Sequence, residues 1–230
     1  MKKKVFPVFC FFLFNLSVLA QNYEPVTVRA GMKIVDVIPF SERYRYPEFT
    51  PGRIQLKTGV YSDTRLDYNF LNQEMEYIRN RDTLAIANAR EIEYISVAQD
   101  TFYYDKGYFE IVSGGPVKVV LKQYIKVKEA QKQDSYGSTS SGAAITSYGS
   151  LPQNGNFYKL TANTDLMMQR TLEYYFSKTK SDFTPFTRKN AMRMFPGKEK
   201  QIKAYLKSNR VNFNTREDLL RFAGYLGTLK

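Results

Sequence analysis

From Arg53 to Lys128 apolar and polar residues keep alternating in short runs, and a chain with that period of two folds as strands. Leu66, Tyr68 and Phe70 fall on one face while Asp67 and Asn69 fall on the other. Met75 and Tyr77 alternate with Glu74 and Glu76, and Leu71-Asn72-Gln73 between the two runs reads as a hairpin connection. Further runs at 83–87, 92–98, 101–104 and 108–112 are separated by Asn, Asp and Gly. Such spacing predicts an antiparallel meander that closes as a sandwich or small barrel. Val117, Val119, Leu121, Ile125 and Val127 line one side of a long last strand, with Lys118, Lys122, Lys126 and Lys128 on the other. Lysines in that pattern are expected on a solvated strand, which an edge position would also suit, since lysines discourage edge-to-edge pairing.

Residues 131–156 differ in kind. They are rich in Ser, Gly, Thr and Asn, repeat Ser-Tyr-Gly-Ser at 135–138 and 147–150, and read as a flexible loop or linker. After it, runs at 157–160, 172–176 and 183–186 are expected as strands. Thr187 opens a helix that ends at Pro196-Gly197, a second helix covers 198–208, and Thr215 with Asp218 three residues on resembles a capping-box start for a third. Leu219, Leu220, Phe222, Ala223 and Leu226 give that third helix its inward stripe. The expected class is therefore α+β: a β-rich domain at 21–130, the linker, and a C-terminal region at 157–230 with strands and a short tail of about three helices.

The N-terminus carries Lys2-Lys3-Lys4, an apolar run from Val5 to Leu19 and a short-residue exit at Ala20, the layout of a secretory signal peptide over 1–20. The run is too short and too interrupted, by Pro7, Asn15 and Ser17, for a membrane span. Export to the periplasm or the outer membrane is the expected localisation. The lone Cys10 lies within that segment, so the remaining chain is expected to fold without disulfides.

The sequence contains no His, which excludes Ser–His–Asp and Cys–His catalytic systems and, with no Cys after residue 20, the usual zinc sites. No P-loop or dinucleotide fingerprint is present, and no cofactor is expected. Paired carboxylates need no His, and Asp63, Asp67, Glu74, Glu76, Asp100 and Asp105 are the acids near strand ends. Glu74 and Glu76 are read as a solvated pair on one strand face.

Charge divides the chain sharply. Residues 21–130 hold 15 basic and 15 acidic side chains, whereas residues 157–230 hold 15 basic and only 6 acidic. That asymmetry points to an anionic partner. Lys200, Lys203, Lys207 and Arg210 recur at helical spacing, and Arg188, Lys189 and Arg193 join them from the preceding helix. These seven are the candidate anionic-surface residues, making a peripheral rather than an integral membrane contact, or a contact with an envelope protein or anionic polymer. Nucleic acid is not expected for an exported chain. Tyr44, Arg45 and Tyr46, just before Pro47, are a candidate interface, because tyrosine combines an apolar body with a polar tip.

The runs Thr58-Gly59-Val60-Tyr61, Leu66-Asp67-Tyr68-Asn69 and Asp82-Thr83-Leu84-Ala85, with Met194-Phe195-Pro196, Lys203-Ala204-Tyr205-Leu206, Asn212-Phe213-Asn214 and Asp218-Leu219-Leu220, resemble exported proteins of unknown function from Bacteroidetes-type bacteria. The resemblance implies an envelope location in a two-membrane bacterium and assigns no catalytic residue. The function expected is non-enzymatic, a binding or adaptor protein of the envelope. The alternatives are a carboxylate-dependent hydrolase acting on an envelope glycan and a small barrel holding an apolar ligand.

Overall fold

The computed structural model describes residues 23–129, 161–162 and 164–229. The expected signal segment, the Ser/Gly-rich linker and the strand read at 157–160 lie outside the described residues. In chain order the elements are β1 (Val26–Val28), α1 (Ile34–Val37), α2 (Phe40–Arg43), β2 (Thr50–Leu56), β3 (Tyr61–Asn69), β4 (Glu74–Arg79), β5 (Asp82–Ala85), β6 (Ile92–Val97), β7 (Asp100–Tyr104), β8 (Tyr108–Ser113), β9 (Lys118–Glu129), β10 (Leu166–Ser177), β11 (Thr184–Pro185), α3 (Arg188–Met194), α4 (Glu199–Asn209) and α5 (Arg216–Thr228).

Among the described residues all eleven strands belong to one sheet, ordered β1-β10-β9-β8-β7-β6-β2-β3-β4-β5, with β11 paired to the far end of β10. Every ladder in it is antiparallel. The sheet coils until its two halves meet. The amide of Ile125 on β9 donates to the Phe70 carbonyl just past β3 at 2.9 Å, and the Tyr68 hydroxyl donates to the Gln123 carbonyl at 3.0 Å. The interior so enclosed is filled by Tyr68, Phe70, Phe102 and Tyr108, whose rings pack 5.5–6.0 Å from that of Tyr68. Gly52 lets β2 sit close against β6, because a Cβ there would collide with the Ser96 carbonyl and come within 2.9 Å of Leu66 Cδ1.

β9 is not an edge strand. It pairs with β10 along all twelve residues and with β8 on its other side, so its lysines alternate along the middle of the sheet. The edge option is removed, because a lysine pattern reports only that one face reaches water, which an interior strand of a one-sided sheet also satisfies. The inward face serves two cores. Val119 packs with the helices, and Ile125 lies in the main interior. The pairing also carries the sheet across the division placed between 130 and 157, since β10 comes from the C-terminal region.

The helical tail follows the sequence closely. Thr187 caps α3 by accepting the Asn190 amide at 3.2 Å. Leu219, Phe222, Ala223 and Leu226 of α5 are buried with Ile202 of α4 against Val119 of β9 and Phe176 of β10. The box at Thr215 and Asp218 does not form. The Thr215 hydroxyl donates to the Asn212 carbonyl, and the Asp218 carboxylate instead takes the Asn212 amide at 2.8 Å.

Candidate functional site

The basic residues lie on the C-terminal helices, all of them exposed. Arg188, Lys189 and Arg193 are on α3, Lys200, Lys203 and Lys207 on α4, and none of the seven candidates enters an ion pair among the described residues. On an ideal helix Lys200, Lys203 and Lys207 fall within about 60° of one another and roughly opposite Ile202, Tyr205 and Leu206. Ile202 is fully buried, which fixes the lysines on the outward side. Arg210 departs from the expected stripe. It follows the last helical turn in the left-handed region, at φ 48°, so its side chain leaves the helical repeat. The Lys178 ammonium, which donates to the Met194 carbonyl, lies 3.8 Å from the centre of the Phe195 ring and ties the α3 exit to the end of β10.

Tyr44 and Tyr46 are buried, and Arg45 between them is half-buried. The two tyrosines are 5% and 9% exposed, so of the expected interface only the Arg45 side chain keeps appreciable exposed area. The segment crosses over the end of β3 and enters a polar layer. The Arg45 guanidinium holds Glu110 of β8 with two bonds, Nε at 2.9 Å and Nη2 at 3.1 Å, and reaches Asp100 of β7 at 3.1 Å. The Gln123 side-chain amide on β9 also donates to Glu110, and its Oε1 accepts from Arg170 of β10. The Glu110 bond and its negative charge raise the Arg45 pKa still further above its ordinary value. Burial and the bond to Asp100 push the Tyr46 phenol upward too.

A second cluster lies beside this one. The Tyr44 hydroxyl donates to Glu76 at 2.7 Å, and Asn69 and Asn72 each donate to its other oxygen at 3.0 Å. Asp67 takes three backbone amides on one oxygen, from Arg45, Tyr46 and Tyr68. The pair read as solvated, Glu74 and Glu76, is not: Glu76 is buried, and Glu74 is half-buried with its pKa raised by burial and by Glu76. Alternation assigned these acids to the right face, but period two cannot tell that the α2–β2 crossing covers it.

Neither of two surface depressions among the described residues brings two acids together. An open groove of about 640 Å³ runs over β2, β3, β4 and β6, and Asp63 is the one acid lining it. That carboxylate is tied to Arg53 by two bonds of 2.7 and 3.0 Å. A smaller crevice of about 280 Å³ between α5 and the β8–β9 turn is lined by Gly114, Pro116, Ala223, Gly224 and Gly227, without an acid. Among the described residues no group of three or more acids or cysteines is placed to hold a metal ion, and no helix is long and apolar enough to cross a membrane. Comparison with protein-family models, with curated proteins and with solved structures finds no match to this chain.

Proposed function

We propose that this is an exported envelope protein of binding or adaptor type, whose coiled sheet is a rigid body and whose basic helical face docks it onto an anionic surface or partner protein. The observation that carries the reading is the exposed stripe of Lys200, Lys203 and Lys207, without ion pairs among the described residues, in a region where basic side chains outnumber acidic ones 15 to 6. The fold holds that stripe outward by burying the opposite side of α4. Each lysine near an anionic membrane contributes about 1 kcal/mol, so three to six of them give a real, salt-sensitive attachment.

The test is co-sedimentation of the full chain with phosphatidylglycerol vesicles and with anionic envelope polymer, at low and at high salt. Replacing Lys200, Lys203 and Lys207 by Gln is expected to weaken low-salt binding about a hundredfold. Unchanged binding by the triple variant overturns the role of the helices. A defined envelope protein retained through high salt supports the adaptor form of the reading.

A further inference from the structure

Asp67 is the least expected group in the molecule. It is wholly enclosed, its Oδ1 serves the amides of Arg45, Tyr46 and Tyr68, and its Oδ2 has no hydrogen-bond partner among the described residues. No cation forms an ion pair with it among the described residues. The Arg45 guanidinium, on the crossing itself, is committed to Glu110 and Asp100. Its register partner on β4 is another acid, Glu76, also buried. Like charges directly opposite on a sheet repel, and burial strips both of the water that would screen them.

We propose that Asp67 is a proton-operated latch: neutral, it clasps the Tyr44–Tyr46 crossing to β3, and on ionisation it releases that crossing from the end of the coiled sheet.

Titratable and charged groups around it come from each packed element. They are Glu76 and Glu74 on β4, Tyr44, Arg45 and Tyr46 on the crossing, and, through Arg45, Asp100 on β7 and Glu110 on β8. Burial pushes the Asp67 carboxyl up to about 7, a rise the three amides oppose and Glu76 reinforces. The sign follows directly. A group whose pKa is raised in the closed state contributes its full stabilisation below the ordinary carboxylate value and loses it as pH climbs to about 7. Because the ring of Tyr44 stacks on Phe40 at 4.3 Å and its hydroxyl holds Glu76, release of the crossing also loosens α2 and the β3–β4 turn. An exported protein meets the pH of its surroundings, and the latch would report it.

Amide hydrogen exchange on the full chain tests this, with intrinsic rates corrected at each pH. The opening equilibrium reported by the amides of Arg45, Tyr46 and Tyr68 is expected to rise roughly thirty- to hundredfold between about pH 5 and pH 7, and to stay level in Asp67→Asn. Level wild-type protection, or the same rise in Asp67→Asn, overturns the latch. Should the variant not fold, carbon-13 titration of the Asp67 carboxyl in the wild-type chain decides. An inflection near neutrality supports the latch, and one below about pH 5 overturns it.

Discussion

Arg45 and Glu110 lie 65 residues apart in sequence and meet in a two-bond ion pair, Nε to Oε2 at 2.9 Å and Nη2 to Oε1 at 3.1 Å, with the Glu110 side chain only 11% exposed. The pair joins the α2–β2 crossing to β8, and through Gln123 and Arg170 the contact continues across β9 to β10. One side-chain chain thus spans strands that the backbone ladder separates.

Removing one partner should leave the other charge buried and uncompensated. Arg45→Ala is expected to destabilise the fold by about 3 kcal/mol. The double variant Arg45→Met, Glu110→Gln should lose clearly less than the two single changes added together. Urea denaturation of the four proteins of the cycle measures both.

The hairpin between β4 and β5 turns on Asn80 and Arg81, both at positive φ, 52° and 74°. That is the conformation of a type I′ turn, which asks for Asn-Gly. Arg81→Gly should therefore stabilise the protein by about 1 kcal/mol, seen as a raised thermal midpoint. Lost stability would show that the Arg81 side chain outweighs its backbone strain.

At Gly52 the expectation is the reverse. Gly52→Ala places a methyl group against the Ser96 carbonyl, which is backbone and cannot rotate away. A loss of about 1–3 kcal/mol in chemical denaturation is expected.

The helical tail allows binding and folding to be separated. Phe222 is fully buried against Phe186, Phe213 and Tyr205, so Phe222→Ala should cost about 3–5 kcal/mol. Lys200→Gln, Lys203→Gln and Lys207→Gln together should leave the thermal midpoint nearly unchanged, because exposed charges contribute little to folding. A large stability loss in the triple lysine variant would mean that the stripe is structural.

Local chemistry was legible wherever one element decided the outcome. Alternation located β3 to β8, Thr187 marked the start of α3, and the α5 stripe of Leu219, Phe222, Ala223 and Leu226 is the one buried. The basic stripe on α4 was readable for the same reason, up to Arg210, where a left-handed cap ends the repeat. The short elements before β2 were missed. α1 and α2 have four residues each, too few for a helical period to show.

What the sequence alone determined is therefore the period of each element, the faces its side chains take and the concentration of positive charge after residue 157. Only the tertiary structure decided what covers each face. Asp67, Asn69 and Glu76 stand on the polar side of β3 and β4 as the alternation requires, yet they are buried, because Tyr44, Arg45 and Tyr46 cross over them. The same crossing turned two tyrosines that looked like a surface into interior groups. Burial depends on contacts between residues far apart along the chain, and no local pattern encodes which distant segment will lie on top.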